Sequence, residues 1–359
     1  MNKIILILCS FLSVYPELTS QTCVQIWDNI KMPMDSEKQL ELLNEYIGYG
    51  CKDSIAEALF LRGKIYYDSD QLNLASRDFL EAVQIDPNIP ELWYHMALLV
   101  YLADNSASSG LGFINNAISQ DPQNYHYFML KGDIQVARRE LNEGLNSYER
   151  SLELLKNNKG NDKNALALTY NAIGGTLIEL SQTVHNEDEK TKLILTAIEN
   201  LQEATKIDSL FDAAYFLLGN AYFYQKNYLE SVYNFEKCVF INPNRPSLIT
   251  NLAIVYRETG KYFGEQKSDL PKALEFLEKS YQLNQKDAET LRLLGVAHGI
   301  NGENEVALNW FLKASEIAPD NAFIWWNLGT AYGILGKKKE MKKCRKTALS
   351  IDPDIEKKM

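Results

Sequence analysis

Small residues, aromatics and prolines recur in a fixed order along the chain. A small residue stands five positions before a proline at Ala82/Pro87, Ala117/Pro122, Cys238/Pro243, Ala314/Pro319 and Ala348/Pro353. Upstream lie Ala75-x3-Phe79, Ser231-x3-Phe235 and Ala307-x3-Phe311. Upstream again are Tyr215-x2-Leu218-Gly219-x2-Tyr222 and Trp325-x2-Leu328-Gly329-x2-Tyr332. Small residues also pair seven apart, as in Gly144/Ser151, Ala197/Ala204 and Ala273/Ser280, with Met341/Ala348 as the exception. Seven residues make two helical turns, so each pair stays on one helix face. Helices that pack closely need a small residue where their axes cross, and a neighbouring aromatic such as Phe79, Tyr148, Phe235 or Phe311 fills the space beside it. A proline then stops the second helix. The pattern predicts antiparallel helix pairs starting near Ala56, Pro90, Tyr125, Ala167, Asp212, Pro246, Ala288 and Ala322. The eighth residue of each is small: Gly63, Ala97, Gly132, Gly174, Gly219, Ala253, Gly295 and Gly329.

These are the two halves of the tetratricopeptide signature, and residues 53–353 resemble the tetratricopeptide repeat (TPR) family. The resemblance implies an all-α, right-handed superhelical solenoid of antiparallel helix pairs, in which stacked neighbours bury a core that one repeat cannot bury alone. Insertions in the fourth repeat (around Asn186–Lys190) and the sixth (around Gly264–Lys267) are expected to lengthen helices or form a loop. A polar stretch, Asn157 to Lys163, reads as a linker. Residues 21–52 read as a capping helix pair, split at Met34-Asp35-Ser36 and ended by Gly48-Tyr49-Gly50, and residues 354–359 read as a tail. Arg345 stands where other repeats carry Phe or Tyr, as expected of a terminal helix with a solvated face.

TPR proteins generally hold partner peptides or domains in a concave groove lined by recurring first-helix positions. Carried over, those positions include Phe60, Lys64, Tyr67, Tyr94, Leu98, Tyr101, Met129, Val136, Phe216, Asn220, Phe223 and Trp326. Such a groove is aromatic, and aromatic anchors favour burial of an apolar partner segment. The family's carboxylate clamp is incomplete here: Asn220 and Asn251 fit it, but Phe216, Glu289 and Leu293 replace its basic residues. The expected function is a non-catalytic scaffold for a protein or peptide partner. The alternatives are a carbohydrate-binding cell-envelope protein, with aromatics stacking on sugars, or an accessory subunit of an envelope enzyme complex.

Chemistry is sparse. The four histidines, His95, His126, His185 and His298, fall in different repeats without a second ligand at metal spacing. No phosphate-binding glycine loop follows a strand, and no G-x-S-x-G elbow occurs. No enzyme activity, cofactor or metal is expected. The chain has 359 residues and a net charge of -10, which disfavours nucleic acid as a partner. Its basic end runs against that balance: residues 337–359 hold nine Lys or Arg against four acids, with Lys337, Lys338, Lys342 and Lys343 at its head. This end suggests weak contact with an anionic envelope surface.

Lys3 followed by the uncharged run Ile4–Val14 has the shape of a secretory signal peptide over residues 1–20. The expected location is therefore exported: periplasmic, secreted or envelope-associated. Cys23 starts the capping pair and Cys51 follows its end, and antiparallel helices bring those points together, so a Cys23–Cys51 disulfide is expected. Cys238 and Cys344 lie two whole repeats apart, too far to bridge.

Overall fold

The computed structural model describes residues 20–103, 110–157 and 162–358. Every regular element among them is a helix. The signal-peptide expectation lies almost wholly outside the described residues, as does most of the polar linker. The chain divides into two compact units, 1–180 and 181–359.

The first unit opens with α1 (20–30) and α2 (Ser36–Gly48). Asp35 caps α2 by accepting from the Lys38 amide at 2.9 Å. At its other end Gly50 takes φ +68, the left-handed turn that glycine allows without strain. Cys23 and Cys51 are bonded across the ends of this pair, with Cα atoms 5.7 Å apart. Ile26, Trp27, Ile30, Leu43 and Tyr46 form its core and close against Ala58 of the next helix.

Three pairs follow: α3 (Ile55–Asp68) with α4 (Leu72–Ile85), α5 (Pro90–Ala103) with α6 (Gly110–Gln120), and α7 (Tyr125–Ala137) with α8 (Leu141–Asn157). Then comes α9 (Lys163–Ser181). The second unit contains α10 (Glu187–Ile207), then α11 (Asp212–Tyr224) with α12 (Tyr228–Ile241) and α13 (Pro246–Glu265) with α14 (Leu270–Leu283). It continues with α15 (Ala288–Ile300) paired to α16 (Asn304–Ile317), α17 (Ala322–Ile334) paired to α18 (Lys338–Ile351), and the short α19 (Ile355–Lys358). Within each unit the second helix of a pair also packs on the first helix of the next, as α4 does on α5 and α12 on α13. Successive first helices also touch, as α5 and α7 do.

The small–aromatic code sets the closeness of each pair. A Cβ added at Gly63 would stand 2.6 Å from the Phe79 ring, at Gly132 2.5 Å from Tyr148, at Gly219 2.7 Å from Phe235, and at Gly295 2.6 Å from Phe311. The seven-residue pairs add a polar lock. Ser231 donates to the Gly219 carbonyl at 2.8 Å, and Ser280 to the Ala253 carbonyl at 2.8 Å. The proline turns are held from the following helix: the Trp93 indole donates to the Pro87 carbonyl, and Trp325 does the same to Pro319. Gly295→Val should therefore cost about 1–3 kcal/mol of stability in urea unfolding, because the new side chain meets the buried Phe311 ring and forces it to shift. Gly299→Ala, where the new carbon meets only Ala307 Cβ at 3.7 Å, should cost far less.

Both insertions lengthen helices. Asn186 caps the 21-residue α10 by accepting from the Glu189 amide, with Glu187, Asp188 and Glu189 in its first turn. The sixth repeat extends α13 to 20 residues and carries its turn outward to 266–269. The C-terminal end departs from the simple cap and tail read from sequence. The Arg345 guanidinium lies 4.3 Å from the Trp326 ring centre, and its stem takes the place beside Gly329 that an aromatic takes elsewhere. Ile355 is fully buried against Ala322, Trp326 and Ala348, so residues from 354 on help close the core.

Candidate functional site

First-helix residues four and seven positions apart share a face. On α3 that face carries Phe60, Lys64 and Tyr67; on α5, Tyr94, Leu98 and Tyr101; on α7, Met129, Asp133 and Val136. The structure sorts these positions by burial. Phe60 is 8 % exposed and packs on Phe79 and His95, so it is first a core residue. Lys64 is exposed, and Tyr67, Tyr94, Leu98, Tyr101 and Met129 are half-buried. Tyr67 and Tyr94 meet the His95 ring edge-on at 6.0 and 5.3 Å, and Tyr94 also lies 5.4 Å from Tyr127. His95 donates from Nδ1 to the Glu91 carbonyl at 2.7 Å, and burial lowers its pKa, favouring the neutral ring. An open cavity of about 710 Å³ beside Phe60 and Lys64 runs to Pro90 and Glu91.

Asp133 is the residue the motif reading passed over. It occupies on α7 the position that Lys64 and Leu98 occupy on α3 and α5, so the spacing alone could have found it. Tyr148 on α8 donates to its Oδ1 at 2.7 Å. Burial raises the Asp133 carboxyl above its usual range, with the Tyr148 bond opposing. Burial raises the Tyr94 and Tyr101 phenols, and the nearby carboxylate adds to that rise. The face thus offers rings, one exposed ammonium and one half-buried carboxylate.

In the second unit Phe216 packs edge-on against Phe235 at 5.7 Å, and Phe223 against Tyr228 at 5.6 Å. Both are partly buried beside one core cluster, and Asn220 sits half-buried between them on α11. Trp326, read from sequence as a groove anchor, is 7 % exposed and covered by Arg345, so the structure makes it a core residue. The reason is its terminal position, where the Arg345 stem and Ile355 close over it. At the incomplete clamp, Glu289 is engaged by Arg292 at 2.6 Å and Leu293 is buried.

Helix pairs with this spacing define a helical-repeat protein. A family model described as "Tetratricopeptide repeat" matches residues 56–89 and 324–355. The chain carries tetratricopeptide repeats. A second model, "Plant specific mitochondrial import receptor subunit TOM20", matches residues 150–242. The human mitochondrial import receptor subunit TOM70 is 21% identical over 267 residues, which is 74% of this chain and 41% of that protein. The chain thus matches well under half of that relative's length. Among solved structures, the C-terminal part of a TPR repeat-containing protein from Cytophaga hutchinsonii aligns with a TM-score of 0.55 at 17% identity, over 75% of this chain and 99% of that one. That likeness shows the fold alone. YrrB, described as a TPR protein with an unusual peptide-binding site, aligns with a TM-score of 0.40 at 21% identity, over 58% of this chain and 93% of its own.

These matches overturn the expectation of an exported chain. The 150–242 model and the human relative are both named for mitochondrial import receptors, not for periplasmic, secreted or envelope proteins. An apolar run after one lysine is a short, unspecific pattern, and the matches cover far more chain. The envelope-based alternatives and the envelope surface suggested for the basic end lose their ground with it. No helix among the described residues is long and apolar enough to cross a membrane.

Proposed function

We propose that the chain is a non-catalytic scaffold that holds a polypeptide segment on the first-helix face of its N-terminal unit, serving protein import as the receptors it resembles are named for. The observation that carries this reading is the run of half-buried Tyr67, Tyr94, Tyr101 and Met129 across three successive first helices, with Asp133 among them. Rings that are partly covered lose little freedom on binding and still offer apolar area, which is where binding energy concentrates. The carboxylate favours a segment that pairs an apolar side chain with a basic one.

The test uses a labelled helical peptide with Leu and Arg on one face, and a copy with Leu at the Arg positions. Tyr101→Ala should weaken both about tenfold, on the order of a moderate hot spot. Asp133→Asn should weaken the Arg peptide about tenfold and leave the all-Leu copy unchanged. Equal binding by both variants and the parent would place the site elsewhere. Phe216 and Phe223 are poorer probes, because their rings also support Phe235 and Tyr228.

A further inference from the structure

We infer that the extended sixth repeat builds a second binding site, a cationic, ring-floored pocket that takes an acidic peptide segment of a partner protein. The turn after α11 and the turn between α13 and α14 enclose a cavity of about 400 Å³, lined among others by Lys226, Asn227, Tyr228, Tyr262, Lys267 and Lys272. An adjoining cavity of about 310 Å³ shares Lys226, Tyr228 and Tyr262 and adds Lys261. The floor is aromatic. Tyr228 lies 5.1 Å from Tyr262, and Tyr262 lies 5.6 Å from Phe263.

The lysines are disposed for an outside anion. Lys267 stands over the Tyr262 ring at 5.5 Å and Lys272 over the Phe263 ring at 5.0 Å. Among the described residues, Lys272 has an ion-pair partner, Asp269 at 3.6 Å, and Lys226, Lys261 and Lys267 have none. The acids at the rim offset the pocket lysines only in part. Asp269 caps α14 through the Lys272 amide, Glu258 is engaged by Arg257 at 2.9 Å, and Glu265 is exposed. An acidic segment can therefore bring carboxylates to Lys226 and Lys267 without first breaking an ion pair, while an apolar or aromatic side chain lies on Tyr228 and Tyr262.

The extra residues are what create this site. A 34-residue repeat would end α13 earlier, whereas here the helix continues through Tyr262 and Phe263 to Glu265. The pocket lies within the second unit and shares no residue with the face proposed above, so it does not rest on that reading. The acidic character of the ligand follows from charge, since the pocket lysines outnumber the acids left free to answer them.

The experiment uses the full chain and a fluorescein-labelled peptide in which one Trp is flanked by four Asp, with an Asn-for-Asp copy as control. The Asp peptide should bind, and its affinity should fall as salt rises. The Lys226→Glu/Lys267→Glu variant should weaken it at least tenfold, and the milder Lys226→Gln/Lys267→Gln variant at least threefold. Both substituted side chains are exposed, so helicity and the unfolding midpoint should not move. Tyr101→Ala should leave this binding unchanged. Three results would each overturn the inference: an unaltered affinity in the charge variants, equal binding of the Asn copy, or displacement of the Asp peptide through the same lysines by phosphatidylserine vesicles or oligo-dT at lower concentration than by unlabelled peptide.

Discussion

Replacing Asp78 with Ala is expected to destabilise the N-terminal repeats by about 3–5 kcal/mol, the range for removing one partner of a buried ion pair. Arg62 on α3 reaches the Asp78 carboxylate with two bonds, Nε to Oδ2 at 2.7 Å and Nη2 to Oδ1 at 2.8 Å. Its remaining Nη1 donates to Asn44 on α2 at 3.0 Å. One guanidinium thus ties α2, α3 and α4 together. The Asp78 side chain is 3% exposed and the Arg62 side chain 14%, so water replaces the lost carboxylate only in part. The Asp78 bond holds the Arg62 pKa above its usual value, and without that bond a guanidinium still stays protonated, so its removal leaves the cation without its carboxylate. Stacked repeats can lose cooperativity, so the effect is best read locally. Amide exchange in α2, α3 and α4 should speed up together, and the earliest urea transition should move to lower denaturant. Asp78→Asn should cost less, since it keeps an acceptor. Arg62→Met with Asp78→Leu should recover much of the loss, because it leaves no buried charge. Unchanged protection in Asp78→Ala would show that the pair is not a tie.

Cys51→Ser should cost about 3–4 kcal/mol in the chain-entropy account, for a bridge spanning 28 positions. The effect should centre on α1, α2 and the face of α3 against them, because Cys51 packs with Ile26, Trp27, Ile30, Leu43, Tyr46 and Ala58, and Leu61 and Ile65 of α3 lie against the same group. The measurement is the urea unfolding of α1 and α2, followed by Trp27 fluorescence, in oxidised parent and variant. Peptide mapping without reductant provides the direct check: a Cys23 peptide that runs unlinked removes the basis of the prediction. Among the described residues the other two thiols offer no competing bridge. Cys238 and Cys344 are buried and free, and burial pushes the Cys238 thiol up to about 12. Neither should react with a thiol reagent until its repeat opens.

The compartment shows how uneven sequence signals are. The repeat rests on dozens of spaced positions, each answering a packing need. The export expectation rested on one lysine and one apolar run, which any membrane-directed or buried segment also satisfies. A pattern with so few constraints could not stand against matches to import receptors over 93 and 267 residues.

What the sequence determined by itself is the pairing. Gly63, Gly132, Gly219 and Gly295 announce a contact because no larger residue fits beside Phe79, Tyr148, Phe235 and Phe311. That contact is local to one repeat, so spacing alone reveals it. Only the tertiary structure decided which first-helix side chains remain available. Phe60 and Trp326 stand at the same periodic position as Tyr94 and Met129, yet they are buried while the others are half-open. Burial there depends on what the adjacent repeat or the chain end brings up, His95 in one case and Arg345 with Ile355 in the other. Asp133 and the Arg62–Asp78 tie escaped for the same reason. A carboxylate on a helix face looks solvated in sequence, and it becomes a held group, half-buried at Asp133 and buried at Asp78, only when Tyr148 or Arg62 arrives from another helix. Periodicity is a property of one helix pair, whereas charge burial is a property of what packs against it.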